Sequence, residues 1–96
     1  MATYVSLISW TDQGVRNVKD SPGRAELAAQ LAAKMGGSMR EILWTIGPYD
    51  LVVTMEAPDD ESVTAALLTI AGAGNIRTTT MRAFTRDEFQ GVLDRM

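Results

Sequence analysis

The 96-residue chain contains no cysteine and no histidine. The first absence excludes disulfides and thiolate chemistry. The second removes the commonest protein metal ligand and the side chain most often used as a general base near neutral pH. No apolar run approaches the roughly 20 residues that span a bilayer. The Met1–Leu7 stretch shows neither a basic region ahead of its apolar residues nor the small-residue cleavage pattern of a secretion signal. A cytoplasmic location is therefore expected, with no membrane partner. Positive charge is also scarce: 9 Lys and Arg stand against 12 Asp and Glu, a net charge of −3. Such a chain offers no overall attraction to a phosphate backbone, so nucleic acid is not an expected partner. There is no Ser-His-Asp set, phosphate-binding glycine loop or dinucleotide fingerprint, and neither a cofactor nor a metal is expected.

What is present is an ordinary globular composition, 46% apolar and 22% charged, of a length that fits one domain over residues 1–96. A chain this size buries only roughly 60–65% of its unfolded surface, so burial against a second subunit would help it. The centre of the sequence, Trp44–Val53, reads as two strands joined by a Gly47-Pro48-Tyr49-Asp50 turn. Gly47 suits the reversal, Pro48 fixes φ at a corner, and the Asp50 carboxylate can accept from nearby backbone amides. Before it, Thr3–Trp10 alternates as a strand, with Val5 and Leu7 on one side and Tyr4, Ile8 and Trp10 on the other. Thr11 caps a helical segment interrupted at Asp20–Gly23. Ser21 is placed to cap its continuation, with Pro22 at the first position, and Gly36-Gly37 ends it.

Strands are expected over about Ser38–Ile46 and Tyr49–Ala57. Asp59 starts a helix with Val63, Ala66, Leu67 and Ile70 in one stripe, and Ile76–Phe84 makes a fourth strand. Thr85 and Glu88 form a capping box for a tail helix, with Phe89, Val92, Leu93 and Met96 on its buried face. The order β-α-β-β-α-β plus a tail helix is the ferredoxin-like α+β arrangement, a four-stranded antiparallel sheet with two helices on one face. Both faces of the strands are apolar, and helices can cover only one. A second copy set sheet against sheet, giving a dimeric α/β barrel, is the expected cover. The alternative is the chain's own tail helix folded over the open face.

Thr45-Ile46-Gly47-Pro48-Tyr49-Asp50-Leu51-Val52-Val53, with Thr11-x-x-Gly14 to Pro22 and Glu56-Ala-Pro-Asp-Asp60, resembles the GYD domain family of small bacterial proteins over nearly the whole chain. The resemblance implies a ferredoxin-like dimeric barrel and no defined activity. The hairpin, the second helix and Asn75–Thr79 are also similar to the ligand-binding half of leucine-responsive-type regulators. There, small effectors, often amino acids, sit between subunits near a Gly-x-Tyr-Asp turn. Here Pro48 replaces the usual acidic or polar residue before the tyrosine, and no helix-turn-helix pattern precedes the domain. Direct gene regulation by this chain alone is not expected.

Candidate ligand-binding residues are Trp10, Trp44, Tyr49, Asp50, Arg77 and Arg82. Tyr49 and Asp50 can orient a polar ligand, or pack at the sheet edge and hold the turn. Trp10 and Trp44 can stack on a flat ligand between sheets, or form interface core. Arg77 and Arg82 lie five apart in one strand, on opposite faces; either can bind a carboxylate, or pair with Glu41 or Glu56. Arg16, Lys19 and Arg24 gather at the helix break as a weaker candidate anion site, or as a solvated basic face. Three function classes follow. The first is a homodimer, or a higher oligomer built from it, that binds a small apolar or amino-acid-like ligand between its sheets. The others are a cofactor-free monooxygenase or isomerase using the barrel cavity, and a structural or interaction dimer with a filled barrel.

Overall fold

The alternation read in the N-terminal segment becomes β1 (Ala2–Trp10), with Tyr4, Ser6 and Ile8 buried on one face. The structure is a computed structural model and describes residues 1–96 throughout. Thr11 caps α1 (Asp12–Arg16), its Oγ1 accepting from the Gly14 amide at 3.1 Å. The interruption lies earlier than the expected Asp20–Gly23: it is a single 3₁₀ turn, Val18–Asp20, and Ser21, Pro22 and Gly23 already belong to α2 (Ser21–Lys34), where Pro22 is tolerated because first-turn amides have no helical partner. Ser21 does not cap α2. It is the first residue of that helix, and Asp20 stands at the cap position without a side-chain cap bond. The Ser21 hydroxyl is instead turned inward, where it accepts from the Trp44 indole at 3.0 Å.

Next come β2 (Ser38–Trp44), β3 (Leu51–Ala57), α3 (Asp60–Ala71), β4 (Ile76–Ala83) and α4 (Arg86–Leu93). The strands lie in the order β2-β3-β1-β4, every pairing antiparallel. This is the ferredoxin-like α+β layout. β2 stops at Trp44, two residues before the expected end, and Ile46 projects fully into solvent. The reversal spans Thr45 to Asp50: the Thr45 amide donates to the Asp50 carbonyl at 2.8 Å, with Gly47 at φ +126° between them. Only glycine adopts that angle without strain.

Register fixes the two faces. Leu51, Val53, Met55 and Ala57 alternate inward along β3 and join Tyr4, Ile8 and Val63 in one core under α2 and α3. On the opposite face Leu7 stands beside Val52, Val52 beside Leu43, and Val5 beside Met81. No helix of the chain covers them, and Leu43 and Met81 are exposed.

α4 forms where expected, with both hydrogen bonds of the Thr85–Glu88 capping box in place. Its apolar face is not buried, however. Phe89 is 50% exposed and Met96 96%, with Val92 and Leu93 exposed between them. The Cα radius of gyration, 14.2 Å, exceeds the roughly 12.5 Å of a compact chain this long. α4 therefore projects from the body rather than closing over the sheet. A capping box specifies that a helix starts; it carries no information about what the helix packs against. No helix is long and apolar enough to cross a membrane.

Two side-chain pairs lock β1 to later elements. Ser6 Oγ and Thr80 Oγ1 of β4 share a partly buried 2.7 Å hydrogen bond, and the Tyr4 hydroxyl donates to Asp60 Oδ1 in the first turn of α3. That bond, helped by burial and by the Asp60 charge, pushes the Tyr4 pKa up to about 12 from 10.0. The unfolded tyrosine ionises first, so the native state loses stability as pH rises from about 10 to about 12. Urea midpoints across that window should fall for the wild type and fall less for Tyr4→Phe. Parallel curves would mean that this pair does not govern the alkaline limb.

Candidate functional site

α2 meets the sheet with small side chains. Ala25 and Ala28 face Ile42, Val53 and Met55 across a gap that longer side chains would fill, and α3 closes the other side with Leu67 and Ile70. The result is a cavity of about 270 Å³ between the helix pair and the sheet, with the exposed Leu27 and Thr69 at its mouth. It holds about nine waters' worth of space at the roughly 30 Å³ each occupies in the liquid. The expected site lay between two sheets, against the uncovered face; this cavity lies on the opposite, helix-covered side.

Two candidate residues border it. Trp10, at the end of β1, lines the cavity, and its indole Nε1–H is buried with no acceptor in the protein. Arg24, in the first turn of α2, also lines it. Its Nη1 donates to the Asn17 carbonyl at 2.9 Å, while its buried Nη2 has no partner. Both come to the hairpin end of the sheet. The Trp10 amide donates to Asp50 Oδ2 at 2.9 Å, and Ser21, one turn before Arg24, holds Trp44 at the end of β2. Asp50 thus accepts an amide of the neighbouring strand rather than one of its own turn, and its own amide donates to the Ile8 carbonyl at 2.8 Å. Its effect is to fasten the hairpin to β1.

The remaining candidates do not join them. Trp44 lies on the helix side of β2, opposite Leu51, and not on the uncovered face. Tyr49 sits in the reversal, where its carbonyl accepts from Thr45 Oγ1 at 2.7 Å. Arg77 projects from the uncovered face beside Ser9, while Arg82 lies beside Tyr4 on the other. Arg82 reaches Glu88 of α4 at 3.7 Å and stacks over Phe84 with its guanidinium carbon 4.7 Å from the ring centre. Its acidic partner is thus Glu88 rather than Glu41 or Glu56, and Glu56 is taken by Arg40 at 3.0 Å. Arg16 and Lys19 are exposed on α1 and the 3₁₀ turn, leaving Arg24 alone at the cavity.

Asn75 is a cavity residue that sequence reading did not single out. Its Oδ1 accepts from Gln13 Nε2 at 3.1 Å, and its carbonyl accepts from the Thr11 amide at 3.1 Å, so α1 is seated on the turn before β4. The sequence signals were the pair of glycines ahead of it and its place at the head of the Asn75–Thr79 stretch.

Sheet order and helix placement define a ferredoxin-like α+β domain. The chain belongs to the GYD domain family, whose pattern matches residues 4–93. It is 32% identical, over 86% of its length and 88% of the relative's, to a Thermus thermophilus protein named glutamine synthetase and cystathionine beta-lyase binding protein. Among solved structures it is similar to the feast or famine regulatory protein of M. tuberculosis complexed with L-methionine. The TM-score is 0.67 at 15% identity, covering 88% of this chain and 51% of that one, so the present chain spans about half of the regulator. A second similar structure, also of a Thermus thermophilus protein, gives a TM-score of 0.56 at 24% identity, covering 88% and 95%. At these identities the structural likeness establishes the fold.

Proposed function

We propose that this protein is a homodimeric small-molecule-binding module whose ligand enters the cavity between α2, α3 and the sheet. The observation that carries the reading is the cavity itself: about 270 Å³, walled mainly by apolar side chains, with a few polar groups gathered at one end. That is the usual construction of a ligand pocket. The L-methionine complexed with the M. tuberculosis regulator supports the ligand class in general terms only. Self-association is supported by the uncovered Val5, Leu7, Leu43, Val52 and Met81 face, because a strip of that kind is seldom left to water. Tyr49, Asp50, Trp44 and Arg82 act in this reading as supports of the hairpin, the α2 joint and the α4 joint rather than as ligand contacts, and Arg77 lies on the uncovered face, away from the cavity.

The test is titration of the methyl-labelled protein with 1-octanol, followed by NMR. Saturable shifts of Leu31, Leu67 and Ile70 are expected. Ala28→Leu, which fills the gap, should abolish them while leaving the protein folded. Shifts spread over the surface, or unchanged in Ala28→Leu, would sink the assignment.

A second reading is favoured by one further observation. The exposed apolar stripe of α4, with a relative named for binding two enzymes, fits a protein-docking role for the tail helix. Deleting residues 86–96 should leave octanol binding intact and remove any such docking.

A further inference from the structure

The polar atoms around the cavity are not balanced. Two of its side-chain acceptors are engaged: Ser21 Oγ takes the Trp44 indole proton, and Asn75 Oδ1 takes a proton of Gln13 Nε2. Two of its donors are not, since the Trp10 Nε1–H and the Arg24 Nη2 protons are buried without an acceptor. A buried donor left unpaired is costly, the more so for a charged group, so both are positions where an acceptor would be favoured. Charge points the same way. Arg24 is the one charged residue lining the cavity; no carboxylate lines it, and Arg24 makes no ion pair within the protein.

Resting on the cavity reading above, we infer that the ligand is a small apolar carboxylate. Its hydrocarbon part lies among Ala28, Leu31, Val53 and Leu67, and its anion is received by Arg24 Nη2 and Trp10 Nε1. An α-ammonium group would find no carboxylate partner in this space. The cavity therefore selects an acid over the amino acid of the same skeleton, unlike a site that takes a zwitterion at both ends. Size sets the scale: about 270 Å³ suits a monocarboxylate of roughly ten non-hydrogen atoms.

The test compares octanoate, 1-octanol and 2-aminooctanoate by calorimetry against the wild type and Arg24→Gln, at constant salt and neutral pH. Octanoate is expected to bind at least tenfold more tightly than either other probe. Arg24→Gln should cost octanoate at least tenfold in affinity and 1-octanol far less, because only the carboxylate carries the charge that Arg24 meets. In the wild type, octanoate should move the Trp10 indole N–H resonance further downfield than 1-octanol does, because a carboxylate is the stronger acceptor, and this readout needs no variant. Equal affinity for octanoate and octanol, preference for the amino acid, or an unmoved Trp10 resonance would each overturn the carboxylate assignment and leave the cavity reading standing. If none of the three probes binds, both fall.

Discussion

Gly14→Ala should destabilise the protein by about 3 kcal/mol, with a matching drop in the urea midpoint, although the residue occupies a five-residue helix. A Cβ at position 14 would lie 2.0 Å from the Asn75 carbonyl oxygen and 2.9 Å from its carbon. These are backbone atoms that no rotamer change can move aside. Relief requires lifting α1 from the turn before β4, which breaks the bond from the Thr11 amide to the Asn75 carbonyl. It also breaks that from Thr11 Oγ1 to the Gly74 carbonyl and those from Gln13 Nε2 to the Ala73 carbonyl and Asn75 Oδ1. Gly23→Ala is the control. It lies in α2, its Cβ would meet nothing within 4 Å, and alanine's better helix propensity should raise stability by about 0.5–1 kcal/mol. A Gly14→Ala variant as stable as the wild type would show that α1 is not seated on Asn75.

Leu7→Asp should convert the proposed dimer into a folded monomer. Leu7 lies on a central strand with Val52 and Thr79 as its cross-strand neighbours on the uncovered face. In a sheet-to-sheet dimer two carboxylates would be buried without partners, at about 3 kcal/mol each. The dissociation constant should rise roughly ten-thousandfold. Sedimentation should report half the mass, with the circular dichroism of a folded chain. Trp44→Asp should behave differently, since Trp44 faces α2 and its indole holds Ser21. That change should lower the folding stability of each subunit rather than separate subunits. Leu7→Asp sedimenting at wild-type mass would rule out the sheet face as the contact.

Much of the architecture is legible in residue order because its signals are local. Alternation in β1 and β3 sets the strand faces, Gly47 sets the reversal, and Asp59 and Thr85 mark helix starts that the structure reproduces with hydrogen bonds to Ser62 and Glu88. What residue order does not carry is what each face meets. Alternation puts Trp44 on the same side of β2 as Ile42, yet nothing local tells which of two apolar faces the helices cover. The stripe on α4 is visible, but a stripe implies a partner without saying that the chain supplies one. The cavity is hidden for a related reason. Ala25 and Ala28 read as good helix formers, and their small size matters only opposite Val53 and Met55, which are distant in sequence. Trp10 and Arg24 both stand out in the sequence, for separate roles. Their convergence depends on where α2 starts relative to the end of β1.

The position of β1 in the middle of the sheet governs how the chain reaches its native state. The first strand finds its neighbours late: Tyr4 waits for Asp60, 56 residues on, and Ser6 for Thr80, 74 residues on. Closing loops of that length before any packing is gained slows folding into the millisecond-to-second range of topologies dominated by distant contacts. During synthesis the helices and the β2–β3 hairpin can form as they emerge. The N-terminal strand, however, keeps one edge without hydrogen bonds until β4 has left the ribosome. In the proposed dimer its apolar outer residues would stay uncovered longer still, until a second completed chain arrived, and the concentration of the protein would then set the pace of the final folding step.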